Sequence, residues 1–389
     1  MKVHSQLRIS IRRSFATCAL LAAASCAFPA PNASASTEVS RLTKAINDTD
    51  LQARQQLAKA RVGGVTVGIV AAGKLVWTRS YGMANVEKRI ASKRDTVYRI
   101  GSITKQFVAL MLLQLVETNR LRLSDPAEMY LPEIKGLADR VPNSPPITVV
   151  QLATHTAGLD REPDSDDFST GAFSDWESKT LDAIPHTHFI RSPGSEFLYS
   201  NIGYAILGVT LSRAAQETFP EYVSKHILGP LGMRDTFFEV NSANRSRLAI
   251  GYEVNGSEID ASESQHQWDG RGYKVPPGGL FSTVDDLARF VSFEMADGPA
   301  GVLTNKSLEE NLHRLLLLND IDSAQGLGFE WRNFGTTIAM GHTGSVDGYQ
   351  AAAFYSNKLR RGVIVLVNSR DRNFNINAIL RAAFVSPPR

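Results

Sequence analysis

Runs of apolar and β-branched residues near both ends of the chain predict β-strands. Two such runs, residues 62–70 and 75–81, are separated by a short turn that contains Gly73. Three more lie close together near the C-terminus, at residues 335–340, 349–355 and 362–367. Because short turns join antiparallel neighbours, we expect antiparallel hairpins at both ends.

The middle of the chain, residues 103–235, has the spacing of helices instead. Residues 107–116 read FVALMLLQLV, which is apolar on nearly every face and therefore predicts a buried helix. Another helix is predicted to begin near residue 147. Further helices are predicted at residues 202–215, 219–228 and 376–384.

These elements predict an α/β (α+β) fold in which strands from both ends flank a helical block. The simplest assembly is one antiparallel sheet built from both chain ends, with flanking helices and an inserted, mostly helical domain. We place the α/β part at about residues 36–120 and 240–389, and the helical part at about residues 121–239.

Residues 1–35 have the order of a secretory signal peptide. Basic residues without acidic ones precede a short apolar run at residues 14–24, and Ala33-Ser34-Ala35 is a small-x-small cleavage site. The run is too short to span a bilayer, and we see no later apolar segment long enough to do so. We therefore expect a mature chain, residues 36–389, that is secreted across the inner membrane into the periplasm.

Composition narrows the classes of function. Removing the leader takes away four of the 42 basic residues and none of the 39 acidic ones, so the mature chain would carry a net charge of −1. The apparent basicity is therefore no reason to expect a nucleic-acid partner. Both cysteines, Cys18 and Cys26, leave with the leader, which excludes disulfides and thiol chemistry.

Lys105 lies at the start of a helix that is predicted to be buried. Burial and the positive end of the helix dipole both disfavour an ammonium there, and a neutral amine can act as a base. Ser102 lies three residues earlier and shares its face of the helix. A Ser-x-x-Lys spacing arises by chance on the order of once in a chain this long. The buried context nevertheless favours a serine nucleophile activated by a neighbouring amine.

Two later segments also gather polar groups. Tyr199-Ser200-Asn201 follows a Pro-Gly turn and precedes a predicted helix. His342-Thr343-Gly344-Ser345 follows the strand that is predicted to end at Met340. Taken alone, each segment is more typical of a loop than of a site.

Taken together and in this order, residues 102–105 (SITK), 199–201 (YSN) and 342–344 (HTG) resemble the three motifs of the serine β-lactamases and penicillin-binding DD-peptidases. With its tyrosine, the second motif resembles that of the branch that contains class C β-lactamases, DD-carboxypeptidases, D-aminopeptidases and several esterases. The resemblance covers about residues 55–385 and implies a β-lactamase/transpeptidase-like fold.

The resemblance implies a role for each motif residue. Ser102 would be acylated, and Lys105 would take or tune its proton. Tyr199 would relay protons to the leaving group and to the deacylating water, and Asn201 would hydrogen-bond the substrate amide. The substrate would dock on the edge strand that carries His342, Thr343, Gly344 and Ser345. The backbone N–H groups of Ser102 and Ser345 would form the oxyanion hole.

One position departs from the β-lactamase pattern. β-Lactamases of this branch usually carry lysine where this chain has His342, whereas histidine occurs in some DD-peptidases and other relatives. A permanent cation for a β-lactam carboxylate is then missing at neutral pH. If the imidazole binds an anionic substrate group, binding should weaken from about pH 6 to pH 8 as the ring loses its proton.

Other catalytic classes fit the sequence less well. The α/β-hydrolase pentapeptide Gly-x-Ser-x-Gly does not occur. Residues 68–74 have phosphate-loop spacing, but a strand rather than a helix follows them, so we expect no nucleotide. His186 and His188 are expected at the surface and His155 in a structural loop near the site. We expect no metal and no cofactor.

An acidic stretch precedes the tyrosine motif. Such runs are usually solvated loops, although this one could instead rim the cleft and repel anionic substrates. Its members are Glu162, Asp164, Asp166, Asp167, Asp175 and Glu177.

The sequence therefore predicts an exported, metal-free serine hydrolase that acts through an acyl-enzyme on Ser102. The favoured substrate is a small D-amino-acid peptide, such as a peptidoglycan stem peptide cleaved by a D-Ala-D-Ala carboxypeptidase. A β-lactamase-related activity, a short-chain carboxylesterase and a penicillin-binding module with little turnover remain alternatives. Multiple turnover on an ester or amide would separate an enzyme from a binding module.

Overall fold

The computed structural model describes residues 33–140, 142–299, 301–309, 317–318 and 323–385. The described residues before Arg41 belong to one unit, and those from Arg41 onward form a second, compact unit. The predicted leader lies almost entirely outside the described residues. The sequence boundaries proposed between the α/β part and the helical part stay predictions.

The elements are numbered in chain order. Strands β1 to β14 are Gly64–Ala71, Lys74–Asn85, Ile90–Ala91, Tyr98–Arg99, Tyr252–Asn255, Glu258–Asp260, Phe281–Ser282, Leu317–Leu318, Ser323–Gln325, Glu330–Asn333, Ile338–Val346, Tyr349–Ser356, Arg361–Val367 and Ser369–Arg370. Helices α1 to α12 are Ala33–Lys59, Thr104–Glu117, Val149–Ala153, Trp176–Ala183, Asn201–Ala215, Phe219–Val223, Gly229–Leu231, Ser262–His266, Val275–Gly278, Val284–Glu294, Asn305–Ser307 and Ile376–Phe384.

Both ends of the chain build one sheet, as the strand pattern predicts. β1 pairs antiparallel with β2 on one side and with β13 on the other. The strand order is β3-β2-β1-β13-β12-β11-β10-β9-β8. The N-terminal hairpin therefore lies beside the C-terminal strands, which confirms the expected sheet.

The alternation of side chains along the strands separates two packed faces. Val363 and Val365 of β13 belong to the core layer that includes Leu380 of α12. Ile364 and Leu366 belong to the opposite layer, which contains the apolar side chains of α2, α5 and α10. The central strands β1 and β13 are thus buried on both faces, and most of their residues are apolar.

The middle of the chain contains helices, as predicted, but several of them span different residues from those predicted. Residues 107–116 lie in α2 and are buried almost throughout, as predicted. The helix predicted from residue 147 is only the five-residue α3, which ends just before His155, where φ is +58°. The helix predicted at residues 219–228 is α6 followed by a π-helical turn at Ser224–Leu228. Among the described residues, none of the helices combines the length and apolar character needed to span a membrane.

The strand predicted at residues 335–340 is displaced toward the C-terminus. β11 spans Ile338–Val346, so the motif predicted to follow the strand lies within it. His342 pairs with Ala353, and Ser345 pairs with Gln350, of β12. Polar side chains suggested a strand end, but strand pairing uses backbone groups and does not require apolar side chains. The paired part of β10 reaches only Gly341, which leaves the motif half of β11 at a local sheet edge.

Asn368, directly after β13, joins three parts of the chain from a fully buried position. Its side-chain Oδ1 accepts a hydrogen bond from Gly64 N at 2.7 Å. Its Nδ2 donates to the carbonyl oxygens of Met83, Ala84 and Ile250. Without this amide, several buried backbone groups would lose their hydrogen-bond partner, and water could not take its place.

We predict that Asn368→Ala lowers the free energy of unfolding by roughly 2–4 kcal/mol, since a buried polar group left without its partner costs about 1–3 kcal/mol. Urea denaturation measures the change. Asn357→Ala, in the exposed turn between β12 and β13, is the matched control and should change stability by less than about 0.5 kcal/mol. Equal stabilities of the two variants would contradict this account of Asn368.

Candidate active site

Ser102 lies in the 3₁₀ turn Gly101–Ile103 that leads directly into α2. The turn is held in place because Ile100 N donates to Leu280 O and Thr104 Oγ1 donates to Gly101 O at 2.7 Å. Gly101 has φ of +51°, a conformation that glycine adopts without strain. Ser102 therefore stands at the N-terminal end of a rigid buried helix.

Lys105 is completely buried, and its Nζ contacts three oxygen atoms. Ser102 Oγ is 3.1 Å away, and Asn201 Oδ1 and the Pro277 carbonyl oxygen are each 2.9 Å away. Burial lowers the pKa of Lys105 well below its usual value, with Glu162 opposing this shift and Arg161 adding to it.

The arrangement around Lys105 suits a neutral amine. A neutral amine has two N–H donors and one lone pair. The Asn201 and Pro277 oxygens can only accept, so they take the two donors. The lone pair is then available to the hydroxyl of Ser102, the one partner that can also donate. This geometry would let Lys105 remove the proton from Ser102.

Tyr199 contacts Ser102 from the other side. Its hydroxyl donates to Ser102 Oγ at 2.9 Å. Burial raises the pKa of Tyr199, so the phenol keeps its proton at neutral pH. His155 stacks on the ring with centroids 4.2 Å apart, and the Arg161 guanidinium lies 4.8 Å from the ring centroid. The hydroxyl of Ser102 thus lies between an amine and a phenol.

Asn201 is the first residue of α5, and the preceding Ser200 caps this helix by accepting from Gly203 N at 2.9 Å. The side-chain oxygen of Asn201 points toward Lys105. Its Nδ2 donates to Glu162 Oε1 at 2.6 Å. The helix start therefore positions the amide between Lys105 and Glu162.

β11 brings a second backbone segment against Ser102. A Cβ built on Gly344 would lie 2.0 Å from Ile100 O and 3.3 Å from Ser102 N. A Cβ built on Gly101 would lie 3.1 Å from Ser345 N. Only glycines permit this approach, which places the Ser102 and Ser345 backbone nitrogens at one corner. Two amide groups at such a corner suit a developing oxyanion.

The side chains of His342 and Thr343 contact Glu330 and do not line the cleft beside Ser102, and their contact with a substrate stays a prediction. His342 is 1% exposed, and its Nδ1 lies 3.4 Å from Glu330 Oε1. Thr343 Oγ1 donates to the same carboxylate at 3.1 Å and accepts from Arg332. Burial lowers the pKa of His342 despite the nearby Glu330 carboxylate. A lowered pKa disfavours the imidazolium form that would bind an anionic substrate group.

The cleft beside Ser102 has a volume of about 540 Å³ and is markedly polar. Ser345 lines it, but neither His342 nor Thr343 does. Its charged lining residues are Arg161, Glu162, Glu253, Arg271, Lys274, Asp347, Arg370, Asp371 and Arg372. The acidic stretch therefore supplies one member, Glu162, to the cleft.

Several residues of the site carried no readable signal in the sequence. Arg161 follows α3 in an irregular loop, Arg271 lies in another irregular segment, and Tyr273 lies in the 3₁₀ turn that follows it. Only the chain path brings these residues to Ser102, since no periodic pattern marks them. The acidic stretch was the available signal, and it pointed to Glu162 alone.

Three other histidines, His155, His186 and His188, lie where the sequence predicts them. His155 is buried, and its Nδ1 accepts from the backbone N–H of Ser200 at 3.0 Å. His186 and His188 have side chains 50% and 36% exposed and contact acidic residues. No group of three or more potential metal ligands occurs among the residues that the structure describes.

The sequence matches the family model named Beta-lactamase over residues 50–385. The chain belongs to the β-lactamase family. This match confirms the resemblance drawn from the three motifs and agrees with the observed combination of an antiparallel sheet and a helical block.

Named relatives in the β-lactamase family are distant. Protein flp of Staphylococcus aureus (strain MW2) is 28% identical over 314 residues, covering 80% of this chain and 61% of that protein. Beta-lactamase-like protein 2 of Dictyostelium discoideum is 29% identical over 337 residues, covering 83% and 59%. The chain thus spans about three fifths of the length of these curated relatives.

A solved structure shares the fold. The octameric penicillin-binding protein homologue from Pyrococcus abyssi superposes with a TM-score of 0.73 at 27% sequence identity. The match covers 87% of this chain and 76% of that one. The fold class predicted from the sequence is therefore confirmed.

We predict that the pKa of His342 lies below the usual histidine value of about 6.5, because the ring is buried. An NMR titration of the imidazole resonances, assigned with His342→Gln, measures this. The exposed His186 provides a comparison within the same spectra. A midpoint at or above 6.5 for His342 would restore the carboxylate-binding role expected from the sequence.

Proposed function

We propose that the protein is an exported serine hydrolase that forms an acyl-enzyme at Ser102. One observation carries the proposal: Ser102 Oγ lies 3.1 Å from Lys105 Nζ and 2.9 Å from the Tyr199 hydroxyl, at the edge of a cleft. A hydroxyl next to a neutral amine and a protonated phenol has both a base and a proton relay within reach.

In this mechanism Lys105 takes the proton of Ser102 while Ser102 Oγ attacks the substrate carbonyl. The oxyanion accepts from the backbone N–H groups of Ser102 and Ser345. Tyr199 passes a proton to the leaving group as the bond to the carbonyl carbon breaks, and the Lys105 proton replaces it. Water then attacks the acyl-enzyme ester along the same proton path in reverse, which releases the acid and restores Ser102.

The cleft lining supports a charged peptide as the substrate. Five cationic and four anionic residues line the cleft, whereas apolar side chains are few. Such a surface offers hydrogen bonds and ion pairs to a peptide and little to an apolar short-chain ester. We therefore propose a D-amino-acid peptide of the cell wall as substrate, reached after export to the periplasm. β-Lactams are less favoured because position 342 has no permanent cation.

We predict that an activated fluorophosphonate probe adds its mass to the peptide that contains Ser102. Ser102→Ala should abolish both the labelling and the turnover. Peptide mapping by mass spectrometry locates the adduct. Ser195→Ala, an exposed serine outside the cleft lining, serves as the control and should label normally. A label on Ser200 or Ser345 would contradict the assignment of the nucleophile.

We also predict that Lys105→Arg slows labelling of Ser102 by roughly 100-fold or more, the contribution expected of a general base. Arginine stays protonated and cannot accept the proton. Circular dichroism and urea denaturation would check that the variant folds. Labelling at a near-normal rate would mean that only a positive charge is needed at this position.

Rates for four substrates measured side by side would identify the acyl group. These are a D-Ala-D-Ala peptide, an N-terminal D-amino-acid amide, a chromogenic cephalosporin and a short-chain nitrophenyl ester. Preferential turnover of a D-peptide supports the proposal, and preferential turnover of the ester would replace it with a carboxylesterase. Labelling followed by no steady turnover on any of them would indicate a penicillin-binding module.

A further inference from the structure

Glu162 lies one hydrogen bond away from the group that faces Lys105. Its Oε1 accepts from Asn201 Nδ2 at 2.6 Å, and its Oε2 accepts from the hydroxyl of Tyr273. The side chain is 34% exposed and lines the cleft. Both carboxylate oxygens are therefore engaged inside the site rather than only in solvent.

The chemistry of the two partners determines which way the Asn201 amide faces. A carboxylate accepts hydrogen bonds and cannot donate them, so the amide must turn its NH₂ group toward Glu162. The amide oxygen then points at Lys105 Nζ, 2.9 Å away. With the amide reversed, two donors would face the lysine N–H groups and Lys105 would lose one of its two fixed acceptors.

We propose that Glu162 is a positioning residue that holds the Asn201 amide with its oxygen toward Lys105. The inference rests on the proposed function, because it assigns a supporting group to the Ser102 and Lys105 pair. Tyr273 completes the arrangement by donating to the second carboxylate oxygen, which limits rotation of Glu162. A residue of the acidic stretch thereby controls which atom of the Asn201 amide faces Lys105.

Glu162 has a second, electrostatic effect on the same amine. As an anion it favours the protonated form of Lys105, opposing the burial that disfavours it. Several other groups face the amine or contribute to its field, and they remain in place when Glu162 is replaced. They are Ser102, His155, Arg161, Tyr199, Tyr204, Arg271, Glu330 and His342.

Two substitutions separate orientation from charge. Glu162→Gln keeps an oxygen that can accept from Asn201 and an NH₂ that can donate to Tyr273, but it removes the charge. Glu162→Ala removes both. Asp164→Asn is the matched control, because this acid is on the same loop and contacts His186 rather than the Lys105 network.

The first readout is the titration of the Lys105 ε-carbon by NMR in protein labelled with ¹³C-lysine, and it requires no turnover. The signal is the one that disappears in Lys105→Arg. We expect its midpoint to fall by about one pH unit in Glu162→Gln, as for a removed neighbouring anion. Asp164→Asn should leave it unchanged. An unchanged midpoint in Glu162→Gln would overturn the electrostatic effect of Glu162 on Lys105, whereas the labelling rate below decides the positioning role.

The second readout is the rate of Ser102 labelling at a pH where it has reached its plateau. We expect about a tenfold loss in Glu162→Ala, from the missing hydrogen bond to a charged group, and less than twofold in Glu162→Gln. Equal plateau rates in Glu162→Ala and the native protein would overturn the positioning role. If native Ser102 is not labelled at all, the proposed function fails, while the Lys105 titration still decides whether Glu162 governs the amine.

Discussion

The site depends on the burial of one amine. An ammonium removed from water at the start of a helix is costly unless fixed groups compensate it. Lys105 Nζ donates hydrogen bonds to Asn201 Oδ1 and to the Pro277 carbonyl oxygen, which offset part of this cost. Its third contact is the hydroxyl of Ser102. Burial lowers the pKa of the lysine, and the same geometry aims the neutral amine at Ser102. The burial of the start of α2 is therefore also what lowers the pKa of Lys105.

The fold creates this arrangement by joining distant parts of the chain. The pairing of β1 with β13 unites the two ends in one sheet, and β11 then runs against the turn that carries Ser102. Glycines at positions 101 and 344 allow the two backbones to approach closely enough for their amide groups to share one corner. The helical block contributes Tyr199 and Asn201 from the start of α5.

Features that follow from local pattern could be predicted, and features that follow from the chain path could not. The all-round apolar character of residues 107–116 predicts a buried helix, and a lysine at the start of such a helix indicates a perturbed amine. His342 is buried beside Glu330 because β10 pairs with β11. The motif residues alone do not predict this pairing. Arg161, Glu162 and Tyr273 reach the site only through irregular segments and a 3₁₀ turn. The strand was predicted to end at Met340 because polar residues follow. These polar residues belong to β11, whose motif half lies at a local sheet edge.

The central claim is that a neutral Lys105 removes the proton from Ser102. Its most direct test is the pre-steady-state rate of Ser102 acylation by a neutral nitrophenyl ester between pH 5 and pH 10, corrected with Ser102→Ala. Our account predicts a rate that rises with pH, with a midpoint well below the ordinary lysine value of about 10.4. The rate should then stay level, because the pKa of Tyr199 is raised. A midpoint near the ordinary lysine value would contradict the account.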